Sequence, residues 1–256
     1  VVDLRLLVEA AKQDRAIETA EAALRASGFT LYWDQAKGGF RKDVNALMVP
    51  TQDPNLFVSL TFDGDALKLV NIVEVKASRP NRFEAVIVDL RQGEVYQTVT
   101  DPSQGNKLLS FNTGRSVGVA SLAEIMALVP DPTDGTAGGI VPLATCKVPS
   151  ELIQARDRAR EDLNITYASL AAALAAQAYA AYVMFACVAV PATCPAAVAN
   201  FAVASAAAVA AGYAVDVMRD RLYDAQKAID DWKAAHADHC NWTFRPHPLA
   251  LVQAFA

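Results

Sequence analysis

From Leu163 to Val215 the chain runs for 53 residues without one Asp, Glu, Lys, Arg or His. Nearly half of these residues are alanine, the strongest intrinsic helix former. The run is interrupted at Cys187-Val-Ala-Val-Pro-Ala-Thr-Cys194-Pro195. Helix, tight turn and helix is the reading this pattern enforces. The first helix is predicted from Ser150, an N-cap followed by Glu151, to about Val190, and the second from Pro195 to about His236. Each would be roughly 60 Å long at 1.5 Å per residue. A helix that is uncharged all round must be buried somewhere, and one partner helix covers only one side. The cover is therefore lipid, another copy, a protein partner, or the rest of this chain.

The four cysteines fit a hairpin. In an antiparallel pair centred on the turn, Cys187 faces Cys194 at the tip, and Cys146 faces Cys240 at the base. The midpoints of the two pairs nearly coincide, as two unbent helices require. The base bridge would close a loop of about 95 residues, a constraint on the unfolded chain of about 4–5 kcal/mol. Disulfides form outside the reducing cytoplasm. The chain opens at Val1 with no basic and apolar leader, so an extracellular or cell-envelope protein with its signal peptide removed is expected.

The first half reads differently. Asp3 to Ala26 has helical spacing in Leu4, Leu7, Val8, Ala11, Ile17, Ala20 and Leu24, and Gly28 is placed to take a left-handed terminal position. Short β-rich runs follow: 29–33, 44–49, 56–62, 66–76, 83–91, 94–100 and 107–111. Gly38-Gly39 and Asp63-Gly64-Asp65 are among the turns expected between them. Connections this short cannot hold crossover helices, so neighbouring strands pair antiparallel. In the third run Leu56, Val58, Leu60 and Phe62 alternate with Phe57, Ser59 and Thr61, which predicts one buried face. The fold class is α+β, with an N-terminal helix packed on an antiparallel β-meander, then a long antiparallel helical hairpin stapled by disulfides. Expected boundaries are 1–128 for the α+β domain, 129–149 for a linker, 150–240 for the hairpin and 241–256 for a tail. Ser121-Leu-Ala-Glu124 has capping-box spacing and opens a short helix before the linker.

Charge and motif narrow the possible chemistry. Residues 1–149 carry 15 basic and 18 acidic side chains and residues 150–256 carry 8 and 10, so no basic stripe exists for nucleic acid. Gly114-Arg-Ser116-Val-Gly118 matches a nucleophile elbow, and a serine hydrolase using Ser116 is one alternative, but that fold needs a parallel sheet. His236, His239 and His247 with Cys240 have the donors for zinc, at the expense of the base disulfide. Histidines beside a helix C-terminus, where the dipole favours positive charge, are the simpler reading. No phosphate-binding glycine loop, CxxC or HExxH is present, so no cofactor, metal, catalytic residue or small-molecule substrate is expected.

What remains is the hairpin itself. Leu170, Leu174, Phe185, Val188, Phe201 and Val209 are its expected working surface toward membrane lipid or a second copy. Ala171, Ala175, Ala178 and Ala181 with Ala204, Ala207, Ala208 and Ala211 would let the two helices approach closely. In composition, residues 163–215 resemble the alanine-rich hydrophobic hairpin of pore-forming colicins, with two uncharged helices, a tight turn and charged flanks. The resemblance extends over those residues alone and no residue motif is shared; a β-rich domain stands where colicins have a helical bundle. It implies a non-enzymatic, toxin-like or antibacterial protein whose hairpin inserts tip first. The alternative is a structural subunit that self-assembles through the hairpin.

Overall fold

Asp14 divides the N-terminal helical segment. Its backbone is extended and its Oδ1 accepts from the Ala16 amide at 2.9 Å, so it caps a new helix. Two helices result, α1 (Leu4–Lys12) and α2 (Arg15–Ala26), where hydrophobic spacing had predicted one. Gly28 ends α2 at φ 83°, with the Phe29 amide donating to Leu24 O and the Gly28 amide to Arg25 O, the paired bonds of a left-handed helix terminus. The computed structural model describes residues 4–41, 44–115, 147–187 and 194–236. Ser116, the capping box at Ser121, most of the 129–149 linker and the 241–256 tail lie outside the described residues.

Seven strands follow: β1 (Lys37–Arg41), β2 (Val44–Pro50), β3 (Leu56–Asp63), β4 (Ala66–Arg79), β5 (Arg82–Asp89), β6 (Glu94–Asp101) and β7 (Lys107–Arg115). They form one antiparallel meander in sequence order. Two expectations need correction at its start. Residues 29–33 are not a strand: Trp33–Gln35 forms a 3-10 turn, and the Trp33 indole donates to Glu21 Oε1 at 2.6 Å. Gly38-Gly39 is not a turn but the middle of β1, paired with Leu47 and Ala46.

The sheet is covered on both sides. On one face α1 and α2 pack Leu7, Ile17, Ala20 and Leu24 against Leu47, Val58, Leu60, Ile72 and Val88. The single buried face predicted for β3 is therefore incomplete, since Phe57, Ser59 and Thr61 on its other side are buried as well. The long hairpin explains this: α3 (Ser150–Ala186) and α4 (Cys194–Ala235), bridged by Cys187–Cys194 with Cα atoms 5.3 Å apart, lay their uncharged segments on the second face.

The molecule divides into two compact units. One unites α1, α2, the sheet and Ile165–Asp216; the other holds the remaining ends of α3 and α4, up to Asn164 and from Val217. In the second unit Met218, Leu222, Ala225 and Trp232 are half-buried and Ile229 is buried, a seam of alternating three- and four-residue spacing. His236 stacks on Trp232 with ring centroids 4.3 Å apart.

Candidate functional site

The two faces of the sheet differ in chemistry. The face under α1 and α2 is almost wholly apolar, with Phe62 among aliphatic side chains. The face under the hairpin mixes Met48, Phe57, Val73 and Ile87 with buried Ser59, Thr61, Asn71, Asp89, Glu94, Thr98 and Thr100. Such groups are tolerated inside a protein only where hydrogen bonds replace those lost to water. The hairpin supplies hydrogen bonds to Thr61, Asn71 and Glu94 at two stations, and two further polar contacts, at Asp63 and Lys37, complete four along its length.

At the centre, Gln177 of α3 is 1% exposed. Its Nε2 donates to Thr61 Oγ1 at 2.7 Å and to Ser205 Oγ of α4 at 2.9 Å, and its Oε1 accepts from Asn71 Nδ2 at 3.4 Å. One carboxamide thus ties β3, β4 and both long helices together. Nearer the sequence start of the uncharged run, Tyr167 OH donates to Glu94 Oε1 at 2.8 Å, while Glu94 Oε2 accepts from Tyr96 OH. Burial, then the Glu94 charge and that hydrogen bond, push the Tyr96 hydroxyl well above the usual tyrosine range. On α4, Tyr213 OH donates to Asp63 Oδ2 at 2.9 Å with Lys68 over its ring. At the tip, Lys37 Nζ donates to Met184 O at 3.0 Å and Phe185 O at 3.5 Å.

Between these stations the contact is made by small and apolar groups. Phe83 meets Tyr179 edge-on at 5.1 Å between centroids. Gly39 allows a close approach: a Cβ built there would lie 2.8 Å from Val198 O and 3.2 Å from Ala202 Cβ. A side chain at this position would push α4 off the sheet.

The residues expected to form the working surface are placed differently by this structure. Leu170, Leu174, Phe201 and Val209 are buried under 8% exposure, because the sheet's second face covers them. Phe185 is half-buried beside Lys37, and Val188 lies outside the described residues. Of the proposed alanine seam, Ala171, Ala175, Ala178, Ala181 and Ala208 are buried, Ala204 and Ala211 half-buried, and Ala207 exposed. The tip pair Cys187–Cys194 is bridged as spacing predicted, whereas Cys146 and Cys240 lie outside the described residues.

Other candidate sites carry less. Gly114 and Arg115 belong to β7 of an antiparallel meander, not to the strand-turn-helix of a parallel sheet that a nucleophile elbow needs. Among the described residues no group of three His, Cys, Asp or Glu side chains could hold a metal ion. His236 Nδ1 lies 2.7 Å from Trp232 O within its own helix; His239, His247 and Cys240 lie outside the described residues. A surface groove of about 260 Å³ between β4, β5, β6 and β7 is lined by Lys76, Glu84, Gln97, Ser110 and Asn112, smaller than ordinary small-molecule sites.

Lys37, Asp63, Glu94, Tyr167 and Tyr213 carry no distinguishing signal in the sequence. Each is an ordinary surface residue type whose partner lies 73 to 150 positions away. A polar residue within an apolar helix is the available signal; Gln177 and Ser205 carry it, as do Thr166, Ser169 and Asn200, which are not part of the central network. Comparison of the chain with protein-family models, curated proteins and solved structures finds no match.

Proposed function

We propose that the hairpin is a membrane-directed element stored against the sheet in water, in a secreted or envelope protein that is not an enzyme. One observation carries this reading. A helix that only covers a sheet turns charged side chains to solvent. Here the solvent side of α4 presents Ala196, Ala199, Val203, Ala207, Ala210 and Ala214, all exposed and none charged. That strip follows a three-and-four spacing and continues the apolar character of the buried side. Both long helices also contain segments long and apolar enough to cross a membrane.

The mode of storage supports the reading. Alanine side chains contribute one methyl each, about 0.8 kcal/mol per group removed from water, and the opposing sheet face is rich in hydroxyls and amides. Ser59 Oγ and Asn71 Oδ1 are buried without a hydrogen-bond partner among the described residues, which subtracts from the docking energy. On release, Gln177 and Ser205 can keep their mutual bond, so the hairpin would carry a satisfied polar pair into lipid. The tip disulfide and the two apolar helices are compatible with an extracytoplasmic protein.

The test is liposome flotation of the oxidised chain beside a Val203→Asp/Ala207→Asp variant. Both positions are exposed in the docked form, so the fold should tolerate the change within about 0.5 kcal/mol each. In a bilayer each aspartate costs roughly 2.5–3.5 kcal/mol. Wild type should float and the variant should not, with unchanged melting. Wild type remaining at the bottom, or the variant floating equally well, refutes the proposal. A lipid-indifferent oligomer dissociated by the same substitutions would assign the strip to self-assembly instead. Charges at Leu170 or Phe201 would be uninformative, since burial there makes them unfolding substitutions.

A further inference from the structure

We infer that Lys37 latches the hairpin tip to the edge of the sheet, and that anionic lipid headgroups open the latch by competing for its ammonium; this rests on the membrane-directed reading above. The last carbonyls of any α-helix lack intrahelical donors. In α3 those of Met184 and Phe185 receive Lys37 Nζ at 3.0 and 3.5 Å, one turn before Cys187. The cation also sits at the negative end of the helix dipole and 5.6 Å from the Phe185 ring centroid. Two residues along the same strand, Gly39 faces Val198 and Ala202 at the start of α4, with no room for a Cβ between them. β1 therefore holds both sides of the tip.

The latch is built to be exchanged. Partial burial holds the Lys37 amine below its ordinary pKa, so its charged form is poorly solvated where it sits. Carbonyl oxygens carry only partial charge, and a phosphate oxygen is a stronger acceptor for an ammonium. Alternation puts Arg41 on the same side of β1 as Lys37, exposed, while Phe40 on the other side is 43% exposed. Basic and aromatic side chains on one short edge strand are the equipment of a membrane interface, present here in a chain of net charge −5. Contact of this edge with anionic headgroups would draw Lys37 from the α3 terminus and free the tip.

The experiment uses the full oxidised chain as wild type, Lys37→Met, which keeps an unbranched apolar stem of similar reach, and Lys37→Arg, which keeps charge and donors. Hydrogen exchange without lipid should rise roughly tenfold in the last turns of α3 in Lys37→Met, stay near wild type in Lys37→Arg, and be unchanged in β3 to β5. Flotation then compares phosphatidylcholine vesicles with vesicles containing phosphatidylglycerol. Wild type should prefer the anionic vesicles at least tenfold, and Lys37→Met should bind both alike. Unchanged exchange in Lys37→Met overturns the latch. Equal binding of wild type to both vesicles overturns the anionic trigger. Wild type binding neither overturns the membrane reading and the trigger with it, while the exchange result still decides the latch.

Discussion

Gly39→Ala should loosen the hairpin without harming the sheet beneath it. The added Cβ meets Val198 O at 2.8 Å and Ala202 Cβ at 3.2 Å, and the first is helix backbone that cannot rotate away. Relief requires α4 to back off by about half an ångström, which forfeits about a quarter of the dispersion well of each contact. A buried side chain such as Phe201 makes on the order of 50 contacts of about 0.15 kcal/mol, so the loss is about 2 kcal/mol. That falls within the usual cost of overpacking, about 1–3 kcal/mol. Restricting the unfolded chain adds about 0.4–1 kcal/mol to global stability, φ at Gly39 not being positive, but leaves docking unchanged because the sheet stays folded when the hairpin opens. The steric cost therefore stands alone, leaving docking weaker by about 2 kcal/mol, or about thirtyfold in the open population. Gly38→Ala is the internal control: its Cβ would meet the Leu4 Cδ1 and Leu47 Cδ2 side-chain ends, which can yield, so the change should be near neutral. Hydrogen exchange of amides 197–210 reads the difference. Equal exchange in wild type and Gly39→Ala, or the same rise in Gly38→Ala, would refute this account of the close approach.

Two further outcomes follow from the polar stations. Gln177→Ala strands Thr61, Asn71 and Ser205 together and should lower stability by about 2–4 kcal/mol, seen as a lower urea midpoint with unchanged slope; a loss under about 0.5 kcal/mol would mean the carboxamide is not the central tie. Tyr96 has its pKa raised by burial and by Glu94, so its contribution to stability is complete below about pH 10 and lost as pH rises beyond. Tyrosinate absorbance should therefore show Tyr96 titrating only with unfolding, and Tyr96→Phe should flatten the alkaline limb of the stability curve.

Much of this fold is legible locally. The two long helices are set by runs rich in helix formers, the start of α4 by Pro195 in its first turn, and the tip bridge by cysteines seven residues apart. Strands β2 to β7 lie between turn formers with connections too short for anything but antiparallel pairing. β1 is not legible because Gly38-Gly39 has the local signature of a turn, while the glycine is needed where Val198 and Ala202 of a distant helix lie against the strand. The break at Asp14 was legible as a cap but was outweighed by the hydrophobic period on either side.

The composition of Leu163–Val215 determines that something must cover the helices. It does not determine what, because hydrophobic burial is non-directional and any apolar or small-residue surface will serve. Only the tertiary structure decides that much of the cover is the second face of the chain's own sheet. That face was hidden in plain alternation: Ser59, Thr61 and Asn71 look like solvent-facing positions until Gln177 is placed against them. Polar groups carry no record of whether their partner is water or a side chain 100 positions away, so only the three-dimensional arrangement distinguishes an open sheet face from one on which a hairpin is stored.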